Sequence, residues 1–198
     1  MWQAWIRAGK PAASWLLPAT YLPVLACGLR NDLPAAEEWR RRYSQLRQQS
    51  RPVSRYEAET RTFVDGRVAI HAGHADRAAE ATANVLHGRP AWYGRPHSIY
   101  APYVWAVAAE AAVIAQMPDA EERLAHAQPA GEENDWAAAC LARARGRLHR
   151  DLGALRESVA IWDRNGARFE RACTLILMPG RADEARAEFQ ALGCPPPA

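Results

Sequence analysis

The sequence predicts an all-α protein, an α-solenoid of about five antiparallel helical hairpins, on three observations. Alanine supplies about a fifth of the residues and β-branched residues are sparse, a bias that favours helix. The segments Leu155 to Gly166 and Ala182 to Gly193 overlay at a fixed offset of 27 positions, which aligns Trp162 with Phe189, Ser158 with Ala185 and Gly166 with Gly193. Each segment places a large aromatic four residues before a glycine and small or apolar residues four and seven before the aromatic, the pattern of a helix with one apolar stripe and a glycine stop. Helix starts near residues 11, 55, 98, 135 and 167 are separated by roughly 32 to 44 positions, the period of stacked helical hairpins. The chain reads as one domain over 1–198, with a first hairpin over 10–53, the remaining hairpins over 54–194 and a tail at 195–198.

Taken in order, residues 11–29 form an apolar helix that Pro18 and Pro23 start late or kink, with Gly28 as its stop. Asp32 caps a second helix that has Pro34 in its first turn, Glu37 and Glu38 early and Arg40 to Arg42 late, a charge order that suits the helix dipole. Trp39, Tyr43 and Leu46 mark its inward face. Tyr56 to His71 is helical with Phe63, Val64, Val68 and Ile70 apolar and with Glu57 and Arg61 as an i, i+4 pair. Gly73 turns the chain into a partner helix, Asp76 to His87, and a Gly/Pro-rich loop over 88–96 follows. The helix that begins near Ser98 is apolar around much of its circumference, which predicts a central position. Its partner runs from Pro118 and Asp119 to about Ala127, with the polar stretch Gln128 to Asn134 as a separator. Trp136 to His149 pairs with Leu152 to Asn165, and Arg168 to Leu177 pairs with Arg181 to Leu192.

Charge and cysteine usage narrow the function classes. The formal net charge of +3 is small for 198 residues and the acids are interspersed among the arginines, so no nucleic-acid bias follows. Lys10 is the only lysine. Cys27, Cys140, Cys173 and Cys194 are widely spaced without a CxxC pair, and Cys140 and Cys173 fall on apolar helical faces, as expected of inert thiols in a reducing cytoplasm. No apolar run approaches the roughly 18 residues of a membrane span, and the first ten residues lack the order of a signal peptide. A cytoplasmic location without membrane contact is expected.

The stretch Asn165-Gly166-Ala167-Arg168-Phe169-Glu170-Arg171-Ala172, followed by Ala182 to Phe189 and Leu192-Gly193-Cys194, carries a recognisable pattern. With Trp162, it resembles the carboxy-terminal TPR-like helical repeats of bacterial LuxR-type, MalT-like nucleotide-binding regulators and of related ATPase and cyclase proteins. The match covers about the last 60 residues. It implies a right-handed, TPR-like array acting in signal-dependent transcriptional regulation. The sequence has no GxxxxGK[ST], and it reaches Pro195-Pro196-Pro197-Ala198 where the family continues to a DNA-binding domain, so the family's ATPase and DNA-binding activities are not expected of it.

Candidate sites follow from these readings. A non-enzymatic module is expected to bind a protein or peptide, with a small-molecule effector controlling a separate ATPase or DNA-binding partner as the second reading. Because first helices line the inner face of TPR arrays, the resemblance nominates Tyr56, Tyr100, Tyr103 and Arg143 as partner-binding residues. Trp92 and Tyr93 join them as aromatic anchors on the Gly/Pro loop. No cofactor and no metal are expected: His71 and His74 straddle a glycine turn without a neighbouring ligand cluster, and Glu132, Glu133 and Asp135 suit a solvated loop. Arg143, Arg145, Arg147 and Arg150 spread around their helix and read as a solvated surface.

Overall fold

The computed structural model describes residues 2–11, 16–48, 55–86 and 99–198, with side chains 83–86 left aside. Trp92 and Tyr93, and with them the whole Gly/Pro loop over 88–96, lie outside the described residues. The described residues form α-helices and no strand: α1 Trp2–Arg7, α2 Leu17–Leu29, α3 Leu33–Gln48, α4 Arg55–His71, α5 Ala75–Leu86, α6 Ala101–Ile114, α7 Ala120–Glu133, α8 Asp135–His149, α9 Leu152–Arg164, α10 Arg168–Leu175 and α11 Ala182–Leu192. From α2 onward the helices pair in chain order, and α2, α4, α6 and α8 also pack one on the next. The all-α class expected from composition is the one observed.

Helix ends follow local chemistry. The Asp32 carboxylate accepts from the amide of Ala35 at 3.1 Å, Asn134 from Ala137 at 2.9 Å and Asp151 from Gly153 at 2.7 Å, each satisfying a first-turn donor. Gly166 and Gly193, the two glycine stops read from the overlay, both take left-handed backbone, with φ of +64° and +62°. Gly28 does not stop α2 as expected; it lies inside the helix, and a Cβ there would come within 2.5 Å of Val68 on α4. The glycine admits close approach of two helices, and Asn31, at φ +57°, turns the chain two residues beyond the helix.

Two further boundaries differ from expectation. Helix α7 runs to Glu133 through Pro129, because Ala127 and Ala130 are buried in the core it shares with α8. Packing therefore holds a turn whose polar composition reads as a separator. Helix α10 ends at Leu175, before the expected Leu177. Glu57, expected to pair with Arg61 on its own helix, reaches across to α3, where the Tyr43 hydroxyl donates to it and Arg47 Nε lies 3.2 Å away.

The core is built in three overlapping clusters. One joins α2, α3, α4 and parts of α5 and α6; a second joins α6, α7, α8 and α9; a third joins α9, α10 and α11. Helix α6 belongs to the first two and is buried from Val104 to Val113, so the central position expected of it is observed. Trp162 is 0 % exposed; its indole donates to Thr174 Oγ1 at 3.1 Å. Phe189 is buried equivalently in the third cluster. At the end of the array the chain turns back: the amide of Ala198 donates to the carbonyl of His71 at 3.1 Å, and Arg30 after α2 lies beside Gly193 after α11.

Candidate functional site

Four of the first helices each send one charged side chain to a common buried point. Arg67 of α4, Glu110 of α6, Arg143 of α8 and Glu170 of α10 alternate in sign and close into a ring. Arg143 grips Glu110 through Nε at 2.5 Å and Nη2 at 3.0 Å, and reaches Glu170 through Nη1 at 2.9 Å. Arg67 spans the same two carboxylates, with Nη2 at 2.7 Å and 2.9 Å from Glu170 and Nη1 at 3.3 Å from Glu110. Planar guanidinium forks suit this bidentate geometry, which an ammonium could not reproduce. The ring is seated on aromatic faces, Arg143 over Trp162 at 5.5 Å and Arg67 over Trp136 at 5.9 Å.

Burial raises the cost of each charge, and the ring offsets it. Desolvation alone would raise the Glu110 carboxyl, but the adjoining Arg143 and Arg67 charges outweigh it and hold the group down to about 2. Desolvation opposes the charge on Arg143 too, and Glu110 and Glu170 push its pKa well above the ordinary value. The Cys140 thiol, 3.2 Å from Glu110, is driven up by burial and then by that carboxylate, and burial pushes Cys173 up to about 12. Both thiols are thus held protonated, the inert state expected of them.

Beside the ring lies a cavity of about 120 Å³, walled by Arg67, His71, Glu110, Arg143, Arg147 and Cys173 and closed in part by Pro197 and Ala198. Arg67 Nε and His71 Nδ1 are buried there without a hydrogen-bond partner among the described residues. His71 is held below its ordinary value, first by burial and next by the Arg67 charge.

A second feature is aromatic and half open. Tyr56 of α4 meets Tyr100, immediately before α6, at 5.3 Å between ring centres, and Tyr100 meets Tyr103 at 5.8 Å. Phe63 packs beneath Tyr103 at 5.4 Å and contacts Trp136 at the same separation. Tyr56 is 36 % exposed and the neighbouring Ile99 is 68 % exposed, so this cluster reaches the surface.

The structure therefore brings Tyr56, Tyr100 and Tyr103 together and separates Arg143 from them. Arg143 is also not part of a solvated arginine surface: it is 1 % exposed, whereas Arg147 and Arg150 on the same helix are exposed. The side chains that sequence reasoning does not nominate are Arg67, Glu110 and Glu170; Glu110 carries a signal as a single acid within the apolar run Ala101–Ile114, and Glu170 lies in the repeat pattern beside Phe169. His71 is buried and His74 exposed, and among the described residues no cluster of three His, Cys, Asp or Glu side chains is placed to hold a metal.

These groups predict the direction of pH dependence. Glu110 ionises more readily in the folded chain than in the unfolded one, so its contribution is complete above about pH 4.5 and is lost as the pH falls toward about 2. Folding disfavours the protonated form of His71, so this group leaves stability unchanged above about pH 6.5 and lowers it as the pH falls below that value. Both act in the same direction. Urea unfolding measured between about pH 8 and pH 3 is expected to show stability falling from about pH 6.5 and more steeply below about 4.5; a flat profile down to about pH 3.5 would contradict the assignment.

By its fold and this centre, the molecule is an all-α protein of paired helices gathered round a buried ring of alternating charge. Comparison with protein-family models, with curated proteins and with solved structures finds no match to this chain. Among the described residues no helix is long and apolar enough to cross a membrane.

Proposed function

We propose that the chain is a non-enzymatic interaction module, a right-handed α-solenoid of about five TPR-like hairpins, that binds a protein or peptide partner in bacterial signal-dependent transcriptional regulation. The observation that carries this reading is the half-open cluster of Tyr56, Tyr100 and Tyr103, supplied by the first helices of adjacent pairs and backed by Phe63 and Trp136. Rigid aromatic rings with one face buried and one open are the side chains that anchor partners. The protonated state of the buried thiols supports a role other than nucleophilic chemistry. The resemblance of the segment around Trp162, Phe169 and Glu170 to LuxR-type repeats supports the regulatory setting.

The reading is tested by selecting ligands from a displayed peptide library and titrating them by fluorescence anisotropy. Replacing Tyr56 by Ala in the selected complex is expected to weaken binding about 30-fold, equivalent to about 2 kcal/mol. The melting temperature should move little, since Tyr56 is more than a third open. If no peptide binds saturably, or if binding is indifferent to Tyr56, Tyr100 and Tyr103, the reading fails. A second reading, control of a separate ATPase or DNA-binding partner by a small effector, is supported by the cavity beside the charge ring, which charged and apolar side chains wall together.

A further inference from the structure

We infer that the cavity beside the charge ring is a binding site for a tetrahedral oxyanion, a phosphate group either free or borne on a small effector. The inference rests on the second reading above and gives it a ligand class. Around the cavity the guanidinium groups of Arg67, Arg143 and Arg147 face the carboxylates of Glu110 and Glu170, one positive charge in excess among these side chains. The excess is not diffuse. Arg143 spends its donors on the carboxylates, whereas Arg67, only 3 % exposed, keeps its Nε without a partner, and Arg147 stands exposed on the cavity wall without an ion pair among the described residues. His71, 6 % exposed, adds a second unpartnered buried nitrogen. Buried polar atoms in native structures are nearly always satisfied, so two orphans in one cavity call for a polar occupant.

Size and charge identify the occupant. A cavity of about 120 Å³ has room for several waters or one phosphate-sized ion. A cation is disfavoured by the unpartnered donors of Arg67 and Arg147, and an apolar ligand would leave the Arg67 and His71 nitrogens unsatisfied. A tetrahedral oxyanion presents several acceptor oxygens at once, so it can take the Arg67 Nε–H and the Arg147 head together.

His71 couples this occupancy to protons. The groups around its ring are the Arg67 charge on its own helix, Glu170 and the Phe169 ring at 5.3 Å from α10, and the Leu29 carbonyl at the end of α2. Glu110 of α6 and Arg143 and Arg147 of α8 stand on the other cavity walls, and Ala198 bonds to the His71 carbonyl. In the unliganded site, burial and Arg67 keep the ring neutral. An anion at its edge reverses that balance: either the ring takes up a proton and donates to the anion, or a singly protonated phosphate donates to the ring. For a phosphate ester, whose dianion carries no proton, both routes place one more proton in the complex than in the separate partners at about pH 8, so ester binding tightens as the pH falls; the inorganic dianion already carries the proton of the second route.

The test is isothermal titration calorimetry of the full chain with sodium phosphate and, separately, with glycerol phosphate, at about pH 6 and about pH 8 in buffers of different ionisation enthalpy. One site per chain is expected, and for the ester it is several-fold tighter at the lower pH, with net proton uptake at about pH 8. Arg147→Gln, on an exposed side chain, is expected to keep the melting temperature and to weaken binding about tenfold. His71→Gln is expected to remove the proton linkage while retaining measurable binding. Binding of inorganic phosphate alone assigns a free ion, and binding of the ester with equal or greater affinity assigns an effector-borne phosphate; either supports the site. No saturable binding of either probe in the millimolar range, or binding unchanged in both variants, overturns it. Such a failure leaves the peptide reading intact, because that reading is measured at Tyr56 on the aromatic cluster.

Discussion

Replacing Glu110 by Gln is expected to destabilise the protein by about 3–5 kcal/mol, close to what removing one partner from a buried ion pair costs elsewhere. The substitution conserves shape and removes one charge. It leaves Arg67 and Arg143 facing Glu170 alone, with two buried guanidinium groups sharing a single carboxylate. Equilibrium urea unfolding reads the effect directly, and Glu132→Gln, on an exposed side chain, serves as a control expected to stay within about 0.5 kcal/mol. A loss below about 1 kcal/mol would mean that water reaches the ring and that the charges are not held as described.

Trp162→Ala is expected to cost about 3–5 kcal/mol for a different reason. The side chain has no exposed surface, it forms an edge-to-face contact with Trp136 at 5.7 Å, and its indole donates to Thr174. Truncation empties a large volume at the junction of α8, α9 and α10 and leaves the Arg143 guanidinium without the ring it covers. Trp162→Phe keeps most of the volume and loses the hydrogen bond, so it should retain the greater part of the stability. The difference between the two variants separates packing from the polar contact. If both unfold at the wild-type denaturant midpoint, Trp162 is not the core element described.

The parts of this architecture legible in the sequence are those set by short-range physics. The overlay of Leu155 to Gly166 on Ala182 to Gly193 was readable because an apolar stripe and a left-handed glycine are both local requirements, and φ at Gly166 and Gly193 meets them. Asp32 was recognisable as a cap for the same reason. Gly28 reads locally as a stop, yet its role is decided by Val68, forty positions away. The polar turn after Ala127 reads locally as a separator, yet burial against α8 outweighs local composition.

The charge centre was the least legible part. An arginine or glutamate on a helix reads as solvated unless its partner is known, and the partners here are 27, 33, 43 and 103 positions apart. By sequence Arg143 reads as a groove residue with Tyr100 and Tyr103; the structure makes it the pivot of a ring that also needs Arg67, Glu110 and Glu170. The tyrosines, by contrast, are drawn together by neighbouring helices. A rule about first helices sufficed to nominate them.

The contact between Arg67 and Glu170 also bears on how the chain comes apart. Arrays in which each hairpin touches only its neighbours can fray from one end, losing stability unit by unit. Here a charge on α4 is neutralised by one on α10, so detaching the last hairpin strands a buried cation in the second. Opening at the carboxy-terminal end is therefore transmitted to the middle of the molecule without passing through every intervening interface. Amide exchange in α4 and α10 should consequently share one opening energy, making the two distant helices a single cooperative unit.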